Sequence, residues 1–159
     1  MEEGQEILLT ANGLKKIECE LEQLRTVHRK RVADRIRDAK QFGEFSENSE
    51  YEDAKTEQAF VEGRIEELKI ILAYARVIEL AEVSTSRVGV GSVVKIRDLE
   101  TGDEWEYTIV GPVEVNPVED MISNESPVGQ SLLEKEVGDK VEVDIPAGRA
   151  QYEIIGIRK

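Results

Sequence analysis

The chain has 159 residues, with 34 acidic against 21 basic, so its formal charge is −13 and 35 % of it is charged. That charge density excludes a membrane-spanning chain, while an apolar fraction of 40 % suits one domain, or two small ones, with a modest core. One cysteine, Cys19, and one histidine, His28, exclude an internal disulfide and a Cys/His zinc site; with no basic leader at the start, the expectation is a cytoplasmic chain.

Between Leu14 and Val88 there is no proline, and glycine occurs only at Gly43 and Gly63, the composition of long helices. Leu14, Ile17, Leu21 and Leu24 follow steps of three and four, after which the seam drifts through His28 and Arg31 to Val32, Ile36 and Ala39. Tyr51, Ala54, Gln58, Val61, Ile65, Leu68, Leu72 and Ala75 then hold the heptad rule of a coiled coil throughout. Two such segments around a break near Gly43 predict an antiparallel hairpin, since neither buries its stripe alone. About thirty residues per helix, at ~1.5 Å each, make an arm of ~45 Å. His28 reads as a polar seam residue that sets register, Cys19 as an exposed residue off the seam, and Gly63 as a point of close approach by the facing helix.

Residues 25–40 carry Arg25, Arg29, Lys30, Arg31, Arg35, Arg37 and Lys40 against Asp34 and Asp38, a local excess of cations in an acidic chain. Such a stripe either pairs with Glu57, Glu62, Glu66 and Glu67 of the facing helix or meets phosphates. The break itself, Phe42 to Asp53, holds four Glu and one Asp. Two readings stand. Carboxylates suit a helix N-terminus, where Ser49 and Glu52 match a capping box. Alternatively Glu44 and Glu47, three apart on a tight turn, present two carboxylates to one cation whose other ligands come from elsewhere.

From Val88 the apolar period changes to two, in Val94/Ile96, Trp105/Tyr107/Ile109, Val141/Val143/Ile145 and Ile155/Ile157, which predicts half-buried strands. Glu100–Asp103 predicts a hairpin turn, and Gly111-Pro112, Val137–Asp139 and Pro146–Gly148 punctuate the rest. Ser126-Pro127 predicts the cap and first residue of a short helix. Trp105 and Tyr107 read as core, whereas Met121, Ile122 and Pro127 fall in a loop whose apolar residues are available to a partner. The fold class is α+β: a coiled-coil hairpin over residues 1–82, with its acidic tip near 43–50, and a mainly antiparallel sheet with a short helix over 83–159.

The segment Gly43-Glu44-Phe45-Ser46-Glu47-Asn48-Ser49-Glu50-Tyr51, followed by Lys55, Glu57-Gln58-Ala59 and Gly63-Arg64-Ile65, resembles the bacterial transcript cleavage factors of the Gre family, most closely its A-type branch. Ile122-Ser123, Ser126-Pro127-Val128-Gly129, Leu132-Leu133, Gly138-Asp139 and Pro146-Ala147-Gly148 extend the resemblance over nearly the whole chain. The resemblance implies an arm that enters the secondary channel of bacterial RNA polymerase, and an FKBP-like C-terminal domain docked on the channel rim through Met121, Ile122, Ser123 and Pro127. By position Glu44 and Glu47 would share the second catalytic Mg2+ of the polymerase active site, with no metal or cofactor bound by the factor alone. Arg29, Lys30, Arg31, Arg35, Arg37, Lys40 and Lys55 would face the 3′ part of the nascent RNA. The chain would then be a catalytic cofactor and not itself an enzyme, and a monomer, since the hairpin satisfies its own seam. Glu44-Phe45 stands where the family usually has Asp-Leu, Glu134 where it commonly has glycine, and Val115-Asn116 replaces a common Ala-Asp pair. A secondary-channel inhibitor on the same scaffold, and a chaperone or prolyl isomerase, are the alternative readings.

Overall fold

The computed structural model describes residues 6–41 and 49–159. Packing divides the chain into two compact units, one of residues 14–74 and one that joins residues up to 13 with 75–159.

The first unit is the arm. Its first helix runs as α1 (Ala11–Gln23), a π-helical turn (Leu24–His28) and α2 (Arg29–Gln41), and its second is α3 (Ser49–Tyr74). The buried side chains are Ile17, Leu21, Leu24, Val32 and Ala39 on the first helix and Ala54, Val61, Ile65, Leu68 and Ile71 on the second. The drift in the first seam has a physical origin. Ile17 to Leu24 and Val32 to Ala39 are each one heptad apart, but Leu24 to Val32 is one residue more. The π turn, with its i→i+5 bonding, absorbs that residue and keeps both halves in phase with α3. His28 closes the turn half-buried, and Cys19 is exposed. The expectation for Gly63 is overturned: it is exposed, and a Cβ there would meet nothing within 4 Å, so the facing helix does not require a glycine.

The second unit draws its boundary differently from residue 82, because β1 (Ile7–Thr10) and β2 (Ala75–Ile78), which flank the arm in sequence, pair in parallel and pack with it. Thr10 caps α1: its Oγ1 accepts from Gly13 N at 3.0 Å, while Glu114 accepts from Thr10 N at 2.7 Å and from Thr10 Oγ1 at 2.6 Å. A five-stranded sheet follows, in the order β5 (Met121–Ser123), β4 (Glu104–Val110), β3 (Val93–Asp98), β7 (Gly148–Arg158) and β6 (Lys140–Ile145). All neighbours are antiparallel except β4 and β5, which run parallel because the chain crosses over through two 3-10 turns, Pro112–Glu114 and Pro117–Glu119. The β3–β4 turn forms as expected, with Gly102 at φ 80° and Asp98 Oδ1 accepting from Glu100 N at 2.8 Å.

Val88, Val94, Ile96, Ile109, Leu132, Val141, Val143, Tyr152 and Ile154 form the core, with Trp105 and Tyr107 half-buried against it. Trp105 meets Tyr152 edge-on at 5.5 Å between ring centroids. The pairing of Ile155 with Ile157 on one face is corrected by a bulge: Lys95 pairs with Gly156 but Ile96 with Ile154, so Ile155 is the extra residue. The core side of β7 is therefore Ala150, Tyr152, Ile154 and then Ile157. Helix α4 (Pro127–Leu132) starts as predicted, with Ser126 Oγ accepting from Gly129 N at 3.0 Å. No helix among the described residues is long and apolar enough to cross a membrane.

Candidate functional site

The two candidate surfaces lie one on each unit. On the arm, Glu44 and Glu47 lie outside the described residues, and among the described residues no cluster of three or more His, Cys, Asp or Glu is placed to hold a metal ion. The helices on either side are described up to Gln41 and from Ser49. Among the described residues, Arg29 and Arg35 of α2 pair with α3, and Arg64 of α3 donates to the two carboxylate oxygens of Glu20 on α1, at 2.7 and 3.1 Å. Arg29 donates from Nε and Nη2 to the two carboxylate oxygens of Glu62, at 2.9 and 2.7 Å. Arg35 pairs with Glu57, and more loosely with Glu50 at 3.8 Å. The pairs Arg29–Glu62 and Arg35–Glu57 are antiparallel partners centred in sequence close to residue 46.

The basic stripe therefore divides. Its hydrogen bond to Arg29 holds Glu62 below the ordinary carboxylate range, and the same bond raises Arg29. Arg37 lies 3.4 Å from Asp34 and 3.5 Å from Asp38, and Lys55 donates to Gln58 at 3.2 Å. Lys30, Arg31 and Lys40 are exposed and have no ion-pair partner among the described residues. Lys30 and Arg31 border a shallow depression of about 490 Å³, with Thr26, Val27, Asp34, Arg35 and Asp38 completing it. Of the seven cations expected to face RNA, Arg29 and Arg35 are committed to α3, and Lys30, Arg31 and Lys40 remain available to an anionic partner.

On the second unit, the expected loop around Met121 and Ile122 is instead the edge strand β5, paired through Thr108↔Met121, Ile109↔Ile122 and Val110↔Ser123. Hydrogen-bonding capacity on β4 and the apolar side chain of Ile122 account for this: Ile122 is half-buried against the core. Met121 and Ser123 are half-buried, and Pro127 is exposed at the start of α4. The Ser123 carbonyl is fixed by Ser126, whose N and Oγ donate to it at 3.1 and 2.7 Å. Gly129 is required here, because a Cβ would collide with that carbonyl.

Beside β5 the sequence reading missed an exposed apolar turn. Asn116 and Met121 exchange two backbone hydrogen bonds of 3.0 Å, Asn116 Oδ1 accepts from Val118 N at 3.1 Å, and Val118 at the turn's tip is 93 % exposed. Its signal was the repeated Pro-Val-Glu at 112–114 and 117–119, each a 3-10 turn.

Comparison with known proteins matches both parts of the chain. Residues 7–77 match the family described as transcription elongation factor, N-terminal, and residues 83–159 match transcription elongation factor, GreA/GreB, C-term. Transcription elongation factor GreA of Alkaliphilus oremlandii is 53 % identical over 154 residues, 97 % of each chain. The GreA proteins of Clostridium perfringens and Clostridium botulinum are 49 % and 48 % identical, covering 96 % and 100 % of this chain and 96 % and 99 % of theirs. Among solved structures, GreA factor homolog 1 of Thermus thermophilus is 30 % identical, with 98 % of this chain and 100 % of that one covered at a TM-score of 0.45. With both family descriptions matched in order and GreA relatives near half identity along almost the full length, the chain belongs to the GreA/GreB family of transcription elongation factors.

Proposed function

We propose that this elongation factor binds bacterial RNA polymerase, inserts the tip of its arm into the secondary channel, and stimulates magnesium-dependent cleavage at the 3′ end of backtracked RNA, without nuclease activity of its own. The observation that carries the reading is the placement of an acidic pair in sequence: Glu44 and Glu47 lie between two helices whose pairs Arg29–Glu62 and Arg35–Glu57 are centred near residue 46. An arm of this kind delivers short acidic side chains to a site that its own bulk does not enter.

On this reading Glu44 and Glu47 each offer a carboxylate to a magnesium ion whose remaining ligands come from the polymerase and the RNA. A divalent ion so held supplies an activated water and stabilises charge on the leaving oxygen. Lys30, Arg31 and Lys40 sit on the helix leading to the tip and neutralise phosphates of the extruded RNA. The β5 edge, with Ser123 and Pro127, supports docking outside the channel, since its backbone is fixed by Ser126 and Gly129.

The test is RNA cleavage in purified elongation complexes stalled in a backtracked state, comparing wild type with Glu44→Gln, Glu47→Gln and the double substitution, alongside RNA without polymerase. The expected result is shortening from the 3′ end only in the complex, abolished by the double substitution with polymerase binding retained. Binding that blocks synthesis without cleavage would replace this reading with channel inhibition.

A further inference from the structure

A strained residue marks a cavity in the second unit. Glu134 adopts φ 66°, a left-handed conformation that is costly for any residue but glycine and that clusters at ligand clamps. Val88 pins its backbone: Glu134 N donates to the Val88 carbonyl and Val88 N to the Lys135 carbonyl, each at 2.9 Å. The Glu134 carboxylate has no hydrogen-bond or ion-pair partner among the described residues. It lines a cavity of about 460 Å³, within the range of small-molecule sites. All the residues around this cavity belong to the second unit and none to the arm.

The lining combines an apolar floor with charges of both signs. Leu8 is in register with Arg76 of β2, and Ile78, two residues on, shares that face of the small sheet. Val83 and Val88, both buried, complete the floor. Arg76, Arg87, Glu82 and Glu134 are exposed around it. The two cations are held loosely, Arg76 at 3.7 Å from Glu6 and Arg87 at 3.4 Å from Glu136, and exposed pairs of that kind exchange partners at little cost. One oxygen of Glu82 accepts from Glu79 N at 2.9 Å, which leaves Glu134 as the carboxylate free for a ligand. Charge then selects the occupant. A phosphate would meet Glu82 and Glu134, and a simple cation would meet Arg76 and Arg87. An uncharged apolar body would desolvate all four without pairing them. A small body that carries both an ammonium and a carboxylate satisfies the whole set. We infer that this cavity binds an apolar α-amino acid, with its side chain on Leu8, Ile78, Val83 and Val88, its ammonium on Glu134 and its carboxylate on Arg87. Arg87 adjoins Val88, the residue that pins Glu134, so neighbouring parts of the backbone carry the two charges, as a ligand with both on one carbon requires.

The experiment titrates the full-length chain with L-leucine and L-phenylalanine, and with three compounds that each lack one part of leucine: isocaproate without the ammonium, isopentylamine without the carboxylate, and glycine without the side chain. Calorimetry gives the affinity, backbone amide shifts locate the site, and thermal melts report ligand-dependent stability. The expected result is saturable binding of the apolar amino acids, with shifts at Ile78, Val83, Val88 and Glu134 and a melting temperature that rises with ligand. Each truncated compound is expected to bind about tenfold more weakly or worse, the loss that follows from removing one charge-assisted bond or the buried side chain. Glu134→Gln should lose about as much affinity while the free protein melts unchanged. Glu134→Gly should lose binding while the free protein melts higher, a pair of opposite signs that a purely structural role would not produce. Arg87→Gln should weaken leucine but not isopentylamine, which has no carboxylate to lose. Absence of saturable binding by either amino acid would overturn the inference, as would affinity that survives both Glu134→Gln and Arg87→Gln. Isopentylamine or isocaproate binding as tightly as leucine would overturn it too, since one charge would then suffice.

Discussion

Deletion of Val27 tests the account of the π turn. Leu24 and Val32 are eight residues apart where a heptad needs seven, and the turn Leu24–His28 takes up the difference. Removing Val27, which is 43 % exposed, makes the spacing one heptad and lets the turn close as ordinary α-helix, with Val32, Ile36 and Ala39 still on the seam. The pairs Arg29–Glu62 and Arg35–Glu57 keep their phase as well. The expected change in stability is within about 1 kcal/mol, since little buried surface is lost. Deleting Ala33, also exposed, is the control. Either Val32, or Ile36 and Ala39, must then turn about 100° off the seam. Val32 is fully buried, so its exposure costs about 1.5–3 kcal/mol. Thermal melts followed by circular dichroism at the helical band distinguish the two, and on the proposed function the Val27 deletion should still stimulate transcript cleavage, since α2 keeps its phase with α3. Equal destabilisation by the two deletions would refute the assignment of the extra residue to the turn.

Glu134 adopts φ 66°, a left-handed conformation that costs a side-chain-bearing residue about 1–2 kcal/mol. Glu134→Gly should therefore stabilise the second unit by about 0.5–1 kcal/mol after the entropy of glycine is subtracted, whereas Glu134→Ala should not; denaturant midpoints decide it. Burial, and after it the charge of Asp98, raises the Tyr152 hydroxyl above the ordinary tyrosine range. The folded state then holds that proton more tightly, so its contribution is full below about pH 10 and lost as pH rises through the raised value; Tyr152→Phe should flatten the alkaline decline in urea midpoints. Replacing Lys30, Arg31 and Lys40 together by Gln should weaken the engagement of backtracked complexes and reduce its salt dependence without lowering the melting temperature. Replacing Arg29 and Arg35 by Gln should instead lower the melting temperature of the arm.

Much of the molecule is legible in its one-dimensional pattern because its elements depend on local periodicity. The heptads around Leu21 and Ile65, the Gly102 turn and the Ser126-Pro127 cap each arise from residues a few positions apart. The tip acids are legible as residue types, and the family resemblance assigns them a role that composition does not. Tertiary structure decided what depends on partners distant in the chain. Strand β5 looks like a loop until β4 supplies its hydrogen bonds, and β1 and β2 acquire strand character only by pairing across the length of the arm. A bulge opposite Lys95 and Ile96 reassigns Ile155, because alternation counts residues and not the register of the neighbouring strand. The cations of α2 are alike in sequence. Only the position of Glu62 and Glu57 on the facing helix separates Arg29 and Arg35, which hold the hairpin, from Lys30, Arg31 and Lys40, which remain open to a partner, because an ion pair depends on distance in space and the chain encodes only distance along itself.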